Sequence, residues 1–569
     1  MSVARHLAVA LALALAAGCG GPGEAPSAGR DAAAVERFHG TREPFASEAV
    51  YFVVTDRFVN GDPSNDQRDQ GGQHPTFDRP ITCPDGVVAN VGYLGGDFRG
   101  LLDNAGYIAG MGFTAVWLTP IVENPSQAFT GGGEISCGSS LTDRGKAGYH
   151  GYWGVNFHRL DPHLPSPGLD FEDLTRGLRS HGLKTVLDAV INHASPGWTM
   201  PGPQPGSGFG QVFDADGRLL ADHMNLPPER LDPDNEPLHR FFSTRPDLAQ
   251  LADFDLSNPE VMDHLVDAYL MWIGQGADAL RMDTLGHVAL EHWAAFTARI
   301  REHHPDLFMF GEAFSFDAAD IARYTLPENG GMSVLDFPLK QAMAQVFGRE
   351  GAGFDTLQPL LFLDGGPYRN PYELALFYDN HDVARLDADD AGFINAHNWL
   401  FTARGFPVVY YGSETGFMRG RAEHAGNRNY FGQARIDAAA THPIHQALTR
   451  VARLRGELPA LQRGLMLVLS MHGDQAAFLR VLQEADTAQT VLVVLNKAPE
   501  TVQVELDAGL QPGTWRDALD GGTVTVGDAP QFLEVPANGL RALVFDRPLD
   551  HEPLLQRLRE LQAVYAGAD

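Results

Sequence analysis

The chain has 569 residues, with 42 Lys and Arg against 72 Asp and Glu, a formal charge of −30. That length and a hydrophobic share of 44 % allow roughly three or four domains, or one large barrel with additions, and exclude global disorder. The acidic excess repels phosphate backbones and argues against a nucleic-acid partner, and three cysteines are too few for a disulfide-stapled mini-fold or a Cys-rich zinc module.

At the N-terminus, Arg5 and His6 precede an apolar run from Leu7 to Ala17 that is too short for a comfortable membrane span. Ala16-Ala17-Gly18-Cys19 follows and resembles a bacterial lipobox, in which Cys19 becomes the lipidated first mature residue. Residues 1–19 therefore read as a lipoprotein signal peptide and 20–44, rich in Gly, Pro, Ser and Ala at its start, as a flexible tether. Export is the expectation, to the outer membrane, cell surface or medium, with the membrane reached only through that anchor. Cys83 and Cys137 remain, and in an oxidising compartment they either pair or stay as buried thiols; spacing leaves both open.

From residue 48 onward, short β-rich runs alternate with helix-length segments. The runs are Val50 to Thr55, Thr114 to Leu118, Thr185 to Ile191, Ala277 to Met282, Leu307 to Phe310, Ser333 to Phe337, Leu374 to Tyr378 and Pro407 to Tyr411. Eight such runs predict an α/β fold, a parallel (β/α)8 TIM barrel, over 45–193 and 256–455. Glu291 to His303 carries Trp293, Phe296 and Ile300 at helical spacing. Residues 194–255, rich in Pro, Gly and Asp, read as a loop-rich domain inserted after the third strand. Alternating segments over 456–548 (Gln475 to Leu482, Thr490 to Asn496, Thr501 to Leu506) predict an antiparallel β-sandwich. The tail, 549–569, aligns Leu554, Leu558, Leu561 and Tyr565 on one helical face, as a docking helix would.

Polar residues at C-terminal strand ends face the active site of such a barrel. Here they are Asp188, Asn192 and His193 after the third strand, Arg281, Asp283 and His287 after the fourth, Glu312 after the fifth, and Asp379 to Asp382 after the seventh. One Asp at a strand end reads as a helix cap; four matched ends read as chemistry. Glycoside hydrolysis needs one carboxylate to attack or stabilise an oxocarbenium-like centre and a second to protonate the leaving oxygen. Asp283 and Glu312, on adjacent strands, would sit about 5 Å apart, the spacing of a retaining enzyme. Arg281, two residues before Asp283, shares its strand face and would keep it ionised.

The segments Asp188-Ala-Val-Ile-Asn-His193, Ala277-Asp-Ala-Leu-Arg-Met-Asp283, Phe310-Gly-Glu312 and Phe377-Tyr-Asp-Asn-His-Asp382 resemble the four signature regions of the α-amylase family of glycoside hydrolases, from about Tyr51 to Phe545. The resemblance implies that Asp283 is the nucleophile, Glu312 the acid/base and Asp382 the transition-state stabiliser. It implies Arg281, His193 and His381 as supports of the cleaved sugar's subsite, Asp188 as a structural member of the site, and Tyr149-His150-Gly-Tyr152-Trp153 as an aromatic platform with Tyr152 on the sugar.

The likeness is strongest to bacterial extracellular amylases and cyclodextrin glucanotransferases. Asn60, Asp62, Asn65 and Asp66, with Gly95 and Asp97, resemble their N-terminal calcium loop; clustered Asp and Asn oxygens around a turn are what a hard cation takes, and also what solvated turns contain. A second Ca2+ is implied at Asn192, Asp253 and the His287 carbonyl. Two departures stand out: Gly286 where many α-amylases have Lys, and Ala249 where cyclising enzymes have a central aromatic. The chain also stops after one C-terminal domain where those enzymes carry more. The expected function is a secreted, calcium-binding, monomeric α-amylase that cleaves internal α-1,4 bonds of starch, glycogen and malto-oligosaccharides. The alternatives are a transglycosylase or cyclodextrin-acting enzyme on the same scaffold, and a non-catalytic glycan-binding lipoprotein.

Overall fold

The computed structural model describes residues 36–67, 79–139, 144–202, 206–506, 509–527 and 531–565. The expected signal peptide, Cys19 and the start of the expected tether lie outside them.

Eight parallel strands form the barrel: β1 (Val50–Val53), β2 (Ala115–Leu118), β3 (Lys184–Ala189), β4 (Ala279–Met282), β5 (Phe308–Gly311), β6 (Ser333–Val334), β7 (Ala375–Leu376) and β8 (Phe406–Tyr410). They neighbour one another in the order β6-β5-β4-β3-β2-β1-β8-β7, and a single bridge between Leu335 and Ala375 closes the ring. Every residue of β1, β2, β4, β5 and β8 is buried, which is why these strands appear in the sequence as unbroken apolar runs. Helix Pro259–Gly274, capped by the Asn258 side chain, packs Val261, Leu265, Tyr269 and Trp272 inward before β4. Helix Leu290–His303 buries Trp293, Phe296 and Ile300, the face expected from spacing.

Between β3 and helix Pro259–Gly274, the described residues hold only short strands and 3-10 turns. His193–Pro196 pairs antiparallel with Leu251–Asp253, which ties this segment back to the barrel mouth. A small separate core joins its Met200, Phe209 and Leu251 to Phe129 and Trp153 of the loop between β2 and β3. Cys83 and Cys137, open from the sequence, are joined in a disulfide.

C-terminal to the barrel, six antiparallel strands run in the order Leu465–His472, Gln475–Gln483, Ala488–Asn496, Gly539–Phe545, Gly513–Asp517, Thr523–Val526, and Val502–Leu506 pairs separately with Gln531–Val535. The fully buried Arg480 guanidinium donates to the carbonyls of Thr402 and Gly464 and fastens this sheet to the barrel. Helix Glu552–Val564 buries Leu554, Leu555, Leu558 and Leu561. Among the described residues no helix is long and apolar enough to cross a membrane.

Candidate active site

Ladder register puts the key groups together. Arg281 lies opposite Asp188 on β3 and opposite Phe310 on β5. The Asp283 amide then donates to the Ala189 carbonyl (2.9 Å) and the Glu312 amide to the Met282 carbonyl (2.9 Å), so both carboxylates stand at the tips of adjacent strands. Thr284, directly after Asp283, turns the chain with φ +52°, a left-handed conformation that a β-branched residue adopts only under tight constraint.

One guanidinium holds three carboxylates. Arg281 Nη1 donates to Asp188 Oδ1 (2.9 Å) and Asp283 Oδ1 (2.7 Å), while Nη2 donates to Glu312 Oε2. Burial pushes the Glu312 carboxyl well up; Arg281 opposes that shift, and the negative charges of Asp382, Asp283 and Asp188 add to it. Burial likewise raises Asp188 to about 7 and Asp382 to about 6. Asp188 is fully buried, and its oxygens are taken by Arg281, the Tyr152 hydroxyl (2.7 Å) and the Trp117 indole N–H (3.0 Å). Its carboxylate therefore meets the cleft only through Arg281 and Tyr152. Arg281, also fully buried, sits beneath the carboxylates in the same way.

A cleft of about 580 Å³ opens above this floor, lined by His150, Tyr152, Trp153, His193, Asp283, Glu312, His381 and Asp382, and thus brings together the other sugar-site candidates. The Tyr152 ring stacks on His381 at 5.1 Å, and His381 Nε2 lies 3.0 Å from Asp382 Oδ2. Burial drives His150 and His381 well below the ordinary histidine range and lowers His193 as well, so neutral rings face the cleft. His150 Nε2 and His381 Nδ1 are buried without a protein partner. Trp153 belongs chiefly to the small apolar core beside the cleft.

Several lining residues were not singled out from the sequence. Phe314, 56 % exposed, lines the cleft on the Glu312 side and forms an edge-to-face pair, 5.9 Å apart, with Phe316 just outside it, 43 % exposed. On the Asp382 side, Arg428 Nη2 donates to Asp382 Oδ1 (2.7 Å) and Nη1 lies 3.1 Å from Glu423 Oε1, which also meets Lys146 Nζ at 2.6 Å. Burial alone would raise the Glu423 carboxyl, but Arg428 and Lys146 outweigh it and hold it well below the usual range. A Cβ placed on Gly286 meets nothing within 4 Å, so the position left without a lysine is open space. Ala249 has φ +50°, and its neighbours Leu248 and Leu251 line the cleft in place of an aromatic ring.

The expected calcium ligands divide. Asp97 accepts from the Gly61 and Asp62 amides and caps helix Phe98–Asp103 through the Gly100 amide, while Asp62 is bound to Ser64 in its own turn. These two carboxylates do the work of turn and cap that Asp performs without a metal. Asn60 and Asn65 differ: each Oδ1 is buried without a partner. Gly95, at φ +86°, leaves a hollow in which a Cβ would come within 2.4 Å of Asp66 Oδ1 and 2.3 Å of Asn60 Nδ2, which donates to that oxygen at 2.7 Å. Asn60, Asn65 and Asp66 therefore fit a hard cation. At the second set, Asp253 Oδ2 accepts from the Asp247 amide, Oδ1 is buried without a partner, and burial raises the carboxyl to about 7. Asn192 Nδ2 lies 3.3 Å from His193 Nδ1, and the His287 ring pairs with Asp247 at 2.9 Å. No group of three or more His, Cys, Asp or Glu side chains gathers to hold a metal among the described residues.

An eight-stranded parallel barrel carrying buried, arginine-bridged carboxylates at its strand ends is the architecture of a carbohydrate-active barrel protein. The α-amylase catalytic-domain family matches residues 52–200 and 235–449, and the α-amylase C-terminal all-β domain matches 470–547. The chain belongs to the α-amylase family. It is 28 % identical over 507 residues to a cyclomaltodextrin glucanotransferase of Bacillus sp. (strain 38-2), covering 85 % of this chain and 65 % of that protein. Among solved structures it is similar to the first cyclomaltodextrin glucanotransferase with a three-domain ABC distribution (30 % identity, TM-score 0.70, 88 % of this chain and 99 % of that one). It is also similar to the α-amylase of Geobacillus thermoleovorans complexed with acarbose (27 % identity, TM-score 0.66, 88 % and 99 %). The three-domain glucanotransferase removes the number of C-terminal domains as a means of telling hydrolysis from cyclisation.

Proposed function

We propose that the protein is a retaining α-1,4-glucan hydrolase acting on starch, glycogen and malto-oligosaccharides. The observation that carries this is the single Arg281 guanidinium bridging Asp283 and Glu312. It keeps the two carboxylates within the span of one fork and its hydrogen bonds, in keeping with the about 5–5.5 Å of retaining glycosidases. In the first step Asp283 forms a bond to the anomeric carbon while the bond from that carbon to the leaving glucosyl oxygen breaks, and Glu312 gives that oxygen its proton. In the second, Glu312 takes a proton from water as the water oxygen displaces Asp283 from the same carbon. Asp382, His381 and His193 grip hydroxyls of the reacting sugar, and the unpartnered His150 Nε2 offers a further contact.

A chromatographic time course on soluble starch tests this reading. Linear products support it, and their lengths separate internal cleavage from a short-product enzyme. Cyclic products would transfer the assignment to glucanotransferase, which the exposed Phe314–Phe316 pair on the leaving-group side also suits as a seat for an acceptor sugar. Binding without any product would leave a glycan-binding protein.

Glu312 must be protonated to act, and burial holds its carboxyl well above the ordinary carboxylate range, so the alkaline limb of turnover should lie at higher pH than a free carboxyl would give and fall tenfold per unit beyond it. With an aryl maltoside, whose leaving group needs no proton, Glu312→Ala should lose this alkaline limb while still forming the glycosyl intermediate. A limb unchanged in that variant would assign the acid to another group.

Asn60, Asn65 and Asp66 would hold one Ca2+ and Asn192, Asp253 and the His287 carbonyl a second, both structural: each ion would supply positive charge that fixes loop oxygens. Chelation should lower Tm by several degrees, and excess Ca2+ should restore it; equal melting with and without chelator would remove the metal. We further propose export with a lipid on Cys19, supported by the disulfide, a bond of oxidising compartments. Loss of membrane association in Cys19→Ser tests it.

A further inference from the structure

We propose that the Lys146–Glu423 ion pair is a latch that closes the glycon end of the cleft, so that the enzyme cuts one or two glucosyl units from a chain end. This inference rests on the glucan-hydrolase reading and proposes chain-end cleavage in place of the internal cleavage expected from the sequence.

The cleft has a direction set by its chemistry. The acid that protonates the leaving oxygen is Glu312, so the leaving chain runs past Gly286, His287 and the exposed Phe314, where nothing fills the space above Gly286. The other end, beyond Asp382, belongs to the part of the substrate that stays with the enzyme. There, one guanidinium separates Asp382 from Glu423: Arg428 bonds the first at 2.7 Å and meets the second at 3.1 Å. A guanidinium is shorter than a glucosyl unit, so a sugar that touches Asp382 has Glu423 within a unit or two of it. At that point Lys146 reaches across at 2.6 Å, its side chain 4 % and that of Glu423 11 % exposed.

The two residues come from opposite walls. Lys146 lies before Tyr149 in the loop that follows β2, held by the Phe129 amide on its carbonyl (2.9 Å). Glu423 lies in the loop that follows β8. Both loops are braced by the hairpin Pro80–Thr82/Val88–Asn90, through the Cys83–Cys137 disulfide, the Arg421–Asp85 pair and the Asn429 side chain on the Val88 carbonyl (2.9 Å). A buried ion pair on braced loops keeps its geometry, because separating it would strand two charges out of water. His424 Nε2, 3.2 Å from Glu423, completes the wall.

The test is product length from maltoheptaose carrying a chromophore at its reducing end, with folding checked by circular dichroism. Wild type should release glucose or maltose as the dominant early unlabelled product. Lys146→Ala should lengthen that product by at least one glucosyl unit. Lys146→Arg should keep the wild-type length, which separates a blocking charge pair from mere loop packing. The latch is overturned if folded Lys146→Ala keeps the wild-type product, or if wild type gives maltotriose or longer products first; the hydrolase reading survives either result. Absence of any cleavage by wild type overturns the hydrolase reading, and the latch with it.

Discussion

Asp283→Asn is expected to lower kcat by about four orders of magnitude or more while leaving malto-oligosaccharide binding close to wild type. The amide is nearly isosteric with the carboxylate, and its oxygen still accepts from Arg281 Nη1, so the strand tip and the cleft lining keep their shape. What is lost is the negative charge that attacks the anomeric carbon and the ester that splits one difficult displacement into two. Calorimetric titration with maltoheptaose, paired with single-turnover kinetics, measures both quantities on one preparation. A variant that turned over within tenfold of wild type would remove Asp283 from the nucleophile's place.

Arg281→Met is expected to cost about 3–5 kcal/mol of folding stability as well as activity, because it leaves buried carboxylates without their cation. Asp188, Asp283 and Glu312 all depend on it, and burial would lower the Arg281 pKa were it not for Asp188, Glu312 and their neighbours, which hold it well above its ordinary range. Arg281→Lys should rescue little, since an ammonium lacks the planar fork that serves three acceptors at once. Urea unfolding measures the loss. A midpoint equal to wild type would mean that the carboxylates satisfy one another by sharing protons, and the guanidinium's role would then be catalytic alone.

The barrel was legible because parallel strands buried on both faces must be apolar throughout, and because the polar residues that end them interrupt those runs abruptly. Even β6 and β7, two residues each, were signalled by longer apolar stretches that the chain then uses outside the ladder. The carboxylate trio followed from position at strand ends, and its role from the family resemblance. The Lys146–Glu423–Arg428 chain was not legible: three single charges, the first separated from the others by more than 270 residues, carry no periodicity and meet only when two loops fold over one mouth. Asp62 and Asp97 show a different limit. Oxygen-rich turns have the same composition whether their carboxylates hold a cation or their own backbone amides, and only the buried, unpartnered oxygens of Asn60 and Asn65 separate the two cases. Cysteine spacing was silent for the same reason, since residues 54 apart are brought together by the fold.

The two ends of the described chain leave the molecule at one corner. Phe38 bridges to Gln483, the His39 amide donates to Gln562 (2.8 Å), and Glu36 pairs with Arg559 (2.7 Å), so the first residues lie against the last helix. From there Pro44–Ser47 passes beneath the barrel, where Phe45 stacks on Phe308 at the start of β5 and meets Phe406 at the start of β8 edge-on. The mouth that holds Asp283 is at the opposite pole. Anything joined to either terminus thus meets the molecule at its base, at the end of the barrel away from the opening.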